Sequence, residues 1–535
     1  MTEKAAPVPT TPASVETAGK ERASIAGNAR VVAAGTLLSR VLGLVRDQVM
    51  AAVFSRAVTD AFFVAFTLPN VLRQLLAEGA VQSAVLPVLA ATREQHGDTV
   101  ARRFFASVRG LSLVILTIVS ALGVAFAPAL VDLFASGYHA HPGQYERTVT
   151  LTRWVFPYIF FMGTAALGMA ALNTHRLFFA AAFAPALLNV AFITFSLLLP
   201  AWLGARGYDV GLALAAAVLV GGALQVVAQW PSLRRIGYLK LPRFDFGDPG
   251  IREVLRRMGP VLAGMGVYYV DVLLARRFLS ELGVGAQSYF SWALRLCDFP
   301  QGIFVMALQA ATLPRLSMLA ARGERAELAS TFAFGVRLTL FVALPATVLC
   351  VTLAEPLVVL LFQRGAFDAE SAHQTARALV AQGSGIWLVA LVRQFVSLYY
   401  ALGDTRTPVL VAALDLAVFV ILALSLRGPY DHVGVSAAVT GASAVQMLLL
   451  GYFLRAKLPE LALRPLLASL LRIVVASGVA GAAAFFSADA LSRLGSGMAL
   501  QGVAGGILGL LGFVLTAAAL RSPELGLLAR AKRRS

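Results

Sequence analysis

Four arginines stand where arginine is costly. Arg40, Arg46, Arg73 and Arg295 fall inside long apolar runs, and a charge near the centre of a bilayer costs about 2.5 to 3.5 kcal/mol even on the lenient insertion scale. Such residues face a cavity or a partner. Arg40 and Asp47 are seven residues apart, so on a helix they share one face; Gly43 leaves the backbone open between them and Arg46 flanks them. A second run has Asp60 at its start, Arg73 inside it and Glu78 just before Gly79, and a later run carries Arg295 and Asp298. An excess of arginine over carboxylate in one cavity favours an anionic ligand, and guanidinium forks match phosphate oxygens well. The competing reading is a seam of ion pairs between helices, or terminal charges reaching for the interface, which suits Asp60 near a helix end.

The elements that must position these residues follow from composition. The 535 residues are 58% hydrophobic and 14% charged, with a mean hydropathy of +0.76, where soluble chains are about 25% charged. A large soluble catalytic domain is excluded, and at about 20 residues per span the chain can supply about 14 transmembrane helices. Residues 1–28 read as a disordered cytoplasmic tail. Apolar runs then fall at 31–54, 59–91, 104–134, 149–173, 180–203 and 211–230. A basic linker follows, then 254–279, 288–319, 329–354, 375–402, 408–426 and 433–454, with two more at 466–486 and 500–520. None shows the alternation of a membrane β-barrel strand, so the expected fold is an all-α polytopic membrane protein. Its domains are an amino-terminal lobe at 29–230, the linker at 231–253, a carboxy-terminal lobe at 254–456, two added helices at 457–521 and a basic cytoplasmic end at 522–535. With the amino terminus inside, roughly 26 Lys and Arg fall on cytoplasmic segments and roughly 6 outside, as the positive-inside rule requires. Both termini are then cytoplasmic. Topology accounts for the net charge of +17, so no nucleic-acid partner is expected.

The two sets of six runs repeat. Ala84-Val85-Leu86-Pro87 answers to Ala311-Thr312-Leu313-Pro314 and Phe62-Phe63 to Tyr289-Phe290, both 227 residues apart. Ala171-Leu172-Asn173-Thr174-His175-Arg176 answers to Ala401-Leu402-Gly403-Asp404-Thr405-Arg406 at 230. An even number of helices per copy keeps both copies in one orientation, so the lobes are related by a pseudo-two-fold along the membrane normal with a site between them, an architecture of transporters. Other chemistry is thin. Cys297 and Cys350 lie in apolar runs and read as buried small hydrophobes, and His139 and His141 have no metal-ligand spacing. No phosphate-binding loop, nucleophile elbow or paired catalytic carboxylates occur, which points to a non-enzyme driven by a gradient rather than by bound ATP.

Several strings resemble one family. Leu38-Ser39-Arg40-Val41-Leu42-Gly43-Leu44-Val45-Arg46-Asp47, Thr59-Asp60-Ala61-Phe62-Phe63, Leu68-Pro69-Asn70-Val71-Leu72-Arg73 and Ala77-Glu78-Gly79-Ala80 look like the amino-terminal signature of the MurJ (MviN) lipid II flippases. Phe183-Ala184-Pro185, Leu188-Asn189, Met258-Gly259-Pro260 and Gly403-Asp404-Thr405-Arg406-Thr407-Pro408 extend the likeness through nearly the whole chain. The resemblance implies a MOP-superfamily transporter of 14 helices in the bacterial inner membrane. It would move the undecaprenyl-diphosphate-linked peptidoglycan precursor from the cytoplasmic to the periplasmic leaflet by alternating access, for cell-wall synthesis. It further implies that Arg40, Arg46, Arg73 and Arg295 line a cationic cavity for the diphosphate. Ser39, Asp60 and Glu78 would also be needed, with Asp47 and Asp298 as polar cavity or gating residues, and the last two helices would shape a groove for the lipid tail. The partners implied are lipid II, the bilayer and the cell-wall synthesis machinery, and a self-contained two-lobed cavity makes a monomer the expectation.

Where some members of the family carry a sodium-binding cluster on the seventh and eleventh helices, this chain aligns Ala275, Phe419 and Ala423, which are not ligands. Asp271 and Asp415 lie one turn earlier. They are candidates for a displaced coupling site, for Na⁺ or a proton, with the membrane potential as a further source of energy; alternatively Asp271 pairs with Arg276 or Arg277. No other cofactor is expected. A drug or polysaccharide-lipid exporter of the same superfamily is the runner-up, although a drug cavity would be aromatic or acidic. A polyprenyl-sugar enzyme would need a general base and a large external loop, and a non-transporting scaffold would leave the buried arginines without a purpose.

Overall fold

The computed structural model describes residues 34–75, 82–245 and 247–526, and among these every regular element is a helix. Helix α1 (34–53) and α2 (Arg56–Arg73) are joined by a tight turn at Phe54 and Ser55. Then come α3 (Gln82–Ala125), α4 (Ala127–Ala135), α5 (Gln144–Val155), α6 (Tyr158–Thr174), α7 (Phe178–Gly204) and α8 (Leu212–Arg235). The second half holds α9 (Pro249–Ser280), α10 (Ala286–Pro300), α11 (Met306–Ala321), α12 (Arg325–Thr352), α13 (Ala354–Phe362), α14 (Ala369–Gly383), α15 (Ile386–Ala401) and α16 (Arg406–Lys457). Last are α17 (Leu463–Arg493) and α18 (Met498–Ala519).

By length and hydropathy, 8 helices among the described residues can each cross a membrane, or 9 when the bent pair α14 and α15 is taken as one span. The difference from the expected 14 lies in how helices are broken. One long helix, α3, is interrupted at Gly97 (φ 80°), and α16 at Asp431 (φ 50°), so α16 alone contains the eleventh and twelfth apolar runs. Proline makes two further breaks by removing a backbone donor: Pro157 divides α5 from α6, and Pro300 ends α10, where a five-residue π-turn, Gln301–Val305, leads into α11.

The two halves share one apolar core. Met50 and Phe54 from α1 and its turn and Phe62 from α2 pack in a cluster with Trp292 of α10, Val358 and Phe362 of α13 and Phe367. The linker does not hang free: Arg243 N–H donates to Ala106 O at 2.9 Å, and Arg109 of α3 donates to Lys240 O. Beyond it, Ile251 and Val254 at the start of α9 are buried with Phe104 and Phe105 of α3. Helices α17 and α18 lie against the second half, where Ile473, Ala476 and Phe513 join Leu340 and Phe341 of α12 in one cluster.

The internal repeat has a physical counterpart. A crevice of about 500 Å³ in the first half is lined by Phe105, Arg109, Gly168 and Val227, among others, and one of about 700 Å³ in the second by Phe332, Val336, Phe395 and Leu454. Each member of the second set stands 227 residues after its counterpart in the first.

At the α15–α16 turn, Asp404 accepts from Arg406 N and Thr407 N, both at 3.0 Å, and from Thr407 Oγ1, and lies 2.7 Å from Lys457 Nζ. Burial would raise this carboxyl, but the hydrogen bonds from Lys457 and Thr407 outweigh it and hold Asp404 well below the usual carboxylate range. The turn is thereby tied to the end of α16.

Candidate functional site

The arginines of α1 and α10 meet between the halves. Asp47 is buried on α1 and holds two of them: Arg46 Nη2 lies 2.8 Å from its Oδ1, and Arg295 Nε lies 2.8 Å from its Oδ2 across the divide. Arg46 also donates to Asn189 Oδ1 of α7 at 3.1 Å, and Asn189 Nδ2 donates to Ser39 O at 2.9 Å. A chain of polar contacts therefore runs from Ser39 through Asn189, Arg46 and Asp47 to Arg295, linking three helices of two halves. Arg40 reaches the same region, its guanidinium packed on the backbone of Gly302 in the π-turn, where any Cβ would collide with it. Asp298, one turn beyond Arg295, lies within electrostatic range of Arg295, Arg393 and Arg40.

Four guanidinium groups thus face two carboxylates. The Arg295 side chain is 50% exposed although the Asp47 it pairs with is 4% exposed, so the arginine lines a space that solvent reaches while its carboxylate forms the wall. Such an arrangement can receive an anion: Arg46 is oriented by hydrogen bonds and Arg295 by its ion pair, and the surplus of two charges is unspent.

Arg73 donates to Asn70 Oδ1 at 3.0 Å on its own helix, α2. Glu78 lies outside the described residues. Arg393 of α15 and Asn189 are members of the cluster that the motif reading passed over. Arg393 sits in an apolar run, Trp387 to Val392, and carries the same signal that singled out Arg295.

A second interface closes the α1–α2 end. The N-cap of α10 is Gly285 at φ 103°, a conformation that suits glycine, and the acceptor at this helix end comes from the other half. Asp60 of α2, 1% exposed, accepts from Gly285 N at 2.6 Å, from Ser288 N at 2.8 Å and from Ser288 Oγ. Thr59 Oγ1 lies 2.7 Å from Ser288 Oγ. Around this latch, Arg56 donates to Ala51 O at 2.6 Å and Phe54 O at 2.7 Å, with its guanidinium 4.5 Å from the Trp292 ring and 4.8 Å from Phe367. Ala366 N donates to Ala52 O at 2.7 Å and Arg277 to Asp132 O at 2.9 Å, adding backbone contacts between the halves. Near the other end, Tyr269 of α9 donates to Gln74 at 2.7 Å.

Asp271 of α9 and Asp415 of α16 lie within electrostatic range of one another, and each has a buried carboxylate oxygen without a hydrogen-bond partner among the described residues. The alternative pairing of Asp271 with its neighbours does not occur. Arg276 donates to Gln287 and Ser291, at 3.0 and 2.7 Å, and Arg277 pairs with Glu281 at 3.2 Å. Ala275, Phe419 and Ala423 are buried together in an apolar cluster. The two histidines of the α4–α5 connection each have a protein partner: His139 meets Asp132 at 2.7 Å and His141 meets Leu282 O at 3.1 Å.

A family model described as lipid II flippase MurJ matches residues 49–502, which include Asp60 and its latch, Arg73 and Arg295, and which begin just after Arg46 and Asp47. The chain belongs to the MurJ family. It is 34% identical over 460 residues to the probable lipid II flippase MurJ of Bdellovibrio bacteriovorus, covering 85% of this chain and 87% of that protein. To the lipid II flippase MurJ of Burkholderia cenocepacia it is 36% identical over 382 residues, covering 70% and 73%. In fold, this MurJ-family chain is similar to a structure of lipid II flippase MurJ in an inward closed conformation, with a TM-score of 0.75, 21% identity and coverage of 91% and 98%. It is also similar to an inward-facing multidrug resistance MATE family transporter of the MOP superfamily, at a TM-score of 0.65, 17% identity and coverage of 79% and 95%. The fold is that of the superfamily, and the cationic cluster sits between its two halves.

Proposed function

We propose that this MurJ-family chain is a lipid II flippase of the bacterial inner membrane. It carries undecaprenyl-diphosphate-disaccharide-pentapeptide from the cytoplasmic to the periplasmic leaflet by alternating access, as a monomer. The observation that carries this reading is the Arg46–Asp47–Arg295 bridge, which joins the halves with cations in excess. A diphosphate entering the space beside Arg295 competes with Asp47 for both guanidinium groups, and Arg40 and Arg393 add charge on either side. Binding therefore exchanges a contact between the halves for contacts to the ligand, which is how a ligand biases a two-state equilibrium.

With both termini in the cytoplasm, the latch at Asp60 lies at the periplasmic end. The state described is then the one closed toward the periplasm. Its Tyr269–Gln74 contact crosses the halves toward the cytoplasm and would part to admit the lipid head. The apolar crevice beside α17 supports a path for the isoprenoid tail.

Asp271 and Asp415 fit a coupling role. Two carboxylates together in apolar surroundings draw a compensating cation, and their unpartnered oxygens would hold a proton or Na⁺ supplied by the gradient. Asp271→Asn is expected to change the dependence of transport on ion gradients; unchanged dependence removes this pair from the mechanism.

The test of the whole reading is complementation of a strain depleted of its own lipid II flippase, with the leaflet location of lipid II read directly. Wild type is expected to restore outward lipid II and Arg46→Ala is not. A well-expressed wild type that fails in a host with a compatible precursor would overturn the substrate assignment.

A further inference from the structure

The crevice of the first half is lined only from α3, α6, α8 and the linker; α1 and α10, which hold the central arginines, contribute nothing to it. Its walls are mostly apolar, with Leu113, Phe160, Phe161 and Val227 among them, and Val227 and Trp230 are half exposed on it. Set into these walls is the amide of Gln229. This residue is 1% exposed, and neither its Nε2 nor its Oε1 has a hydrogen-bond partner among the described residues. A buried donor and acceptor left unpaired are costly, so the amide calls for a ligand with polar atoms of its own. Gly168 stands against it, and a side chain there would strike Oε1. In the second crevice the matching position, 227 residues later, is Phe395.

The rim of the crevice is cationic. Arg109 lines it and is oriented by the hydrogen bond it donates to Lys240 O. The linker lies directly on α3 at Gly110, where a Cβ would collide with Arg243 O. Residues 231–244 carry Arg234, Arg235, Lys240 and Arg243 and no carboxylate, with Asp245 just beyond. On α3, Asp98 is committed to Arg93 and Arg102, and Asp248 caps α9. Among the described residues, no carboxylate pairs with Arg109, Arg234, Arg235, Lys240 or Arg243. Trp230 beside them is the residue type that marks the headgroup level of a bilayer.

We propose that this crevice is a binding site for one anionic phospholipid of the cytoplasmic leaflet. An acyl chain lies along Phe160, Phe161 and Val227, an ester carbonyl accepts from the Gln229 amide, and the phosphate meets Arg109 and the linker. The amide distinguishes this occupant from the isoprenoid of a polyprenyl diphosphate, which is bare hydrocarbon up to its phosphates and offers Gln229 nothing. The leaflet follows from the orientation with both termini in the cytoplasm, and the site does not depend on which substrate is carried. A bound headgroup fastens the linker to α3, and with it the start of α9, where Ile251 and Val254 pack on Phe104 and Phe105.

The test places the full chain in phosphatidylcholine vesicles with rising fractions of phosphatidylglycerol whose acyl chains are brominated. Quenching at the crevice is read as the difference in tryptophan fluorescence between wild type and Trp230→Phe. Brominated phosphatidylglycerol is expected to quench at about tenfold lower mole fraction than brominated phosphatidylcholine, and the preference should shrink as salt screens the headgroup. Arg109→Gln should lower the preference about fivefold, whereas Arg109→Lys should keep most of it. Gly168→Leu, which fills the space beside the amide, should abolish it. Wild type should also favour ester-linked over ether-linked phosphatidylglycerol about threefold, and Gln229→Leu should bind the two equally.

Equal potency of the two headgroups in wild type overturns the proposal. So does a preference that survives intact in Arg109→Gln and Gln229→Leu, the two variants that carry the test if Gly168→Leu does not fold; the effect then belongs to the general lipid belt. Farnesyl diphosphate that relieves the quenching at equimolar amounts also overturns it, giving the crevice to an isoprenoid tail.

Discussion

The halves of this protein meet at two polar levels built in opposite ways. At the central level the carboxylate is the buried partner and the arginine is half exposed, so Asp47 anchors and Arg295 remains available. At the latch the guanidinium groups are buried and the carboxylate spends both oxygens on the backbone and hydroxyl of α10. A charge left half in solvent can exchange partners cheaply, whereas a carboxylate sealed among backbone N–H groups cannot leave without stranding them. The first arrangement suits a ligand and the second suits a gate.

The sharpest way to break this contrast is to remove the central cations. Arg46→Ala and Arg295→Ala each delete a charge-assisted contact, at about 1.5 to 3 kcal/mol per hydrogen bond. A loss of transport of about a hundredfold is expected for either, measured as outward lipid II per molecule of protein in the membrane. Transport at the wild-type rate in Arg295→Ala would show that the exposed level is not the carrier.

Next in size is Asp60→Ala, which strands Gly285 N–H and Ser288 N–H. At about 1 to 3 kcal/mol for each unsatisfied buried group, the open population should rise by more than an order of magnitude, read from the distance between spin labels at Glu146 and Glu370, one on each half, with the central level unaltered. Gly302→Ala sharpens the comparison from the other side, because the added methyl displaces Arg40 without touching the latch. The guanidinium is the far end of a flexible side chain and can yield at little cost, so its displacement should slow transport severalfold while the open and closed populations keep their ratio.

The smallest effect lies outside both levels. Asp404→Ala removes a cap-type acceptor at α16, worth about 1 kcal/mol in thermal unfolding at neutral pH. The folded carboxyl titrates below its unfolded value of about 3.9. Its stabilisation is therefore fully present above about pH 4 and is lost as pH falls toward the lower folded value, so wild type and variant should converge in acid.

Charge placement in the sequence was enough to find Arg40, Arg46, Arg295, Asp47 and Asp298, because a charge in an apolar run needs a tertiary reason. The same rule applied to Arg393, which lacked a neighbouring motif to draw attention to it. Arg56 and Arg276 were harder. Arg56 follows the end of an apolar run, where a charge ordinarily reaches for water, and only the packing of Trp292 and Phe367 around it reveals burial. Arg276 stands so close to Asp271 that local pairing looked sufficient, yet its donors point to α10. The fold was legible from apolar length and from the repeat. Helix breaks such as Gly97 and Asp431 were not, since a run of apolar residues does not say whether the backbone continues through its polar ends.

The paired crevices carry a genetic consequence. A gene that doubles inherits two copies of each hollow, and selection preserves the form of a copy only where it is used. In this chain the second copy has gained a wall from Leu463 and Leu466 of α17, while the first keeps Arg109 and Gln229 and has no such neighbour. The chain thus contains its own control: if the two hollows descend from one, unequal rates of change at Phe105 and Phe332, or at Arg109 and Val336, would record which hollow came to bear a task after the duplication.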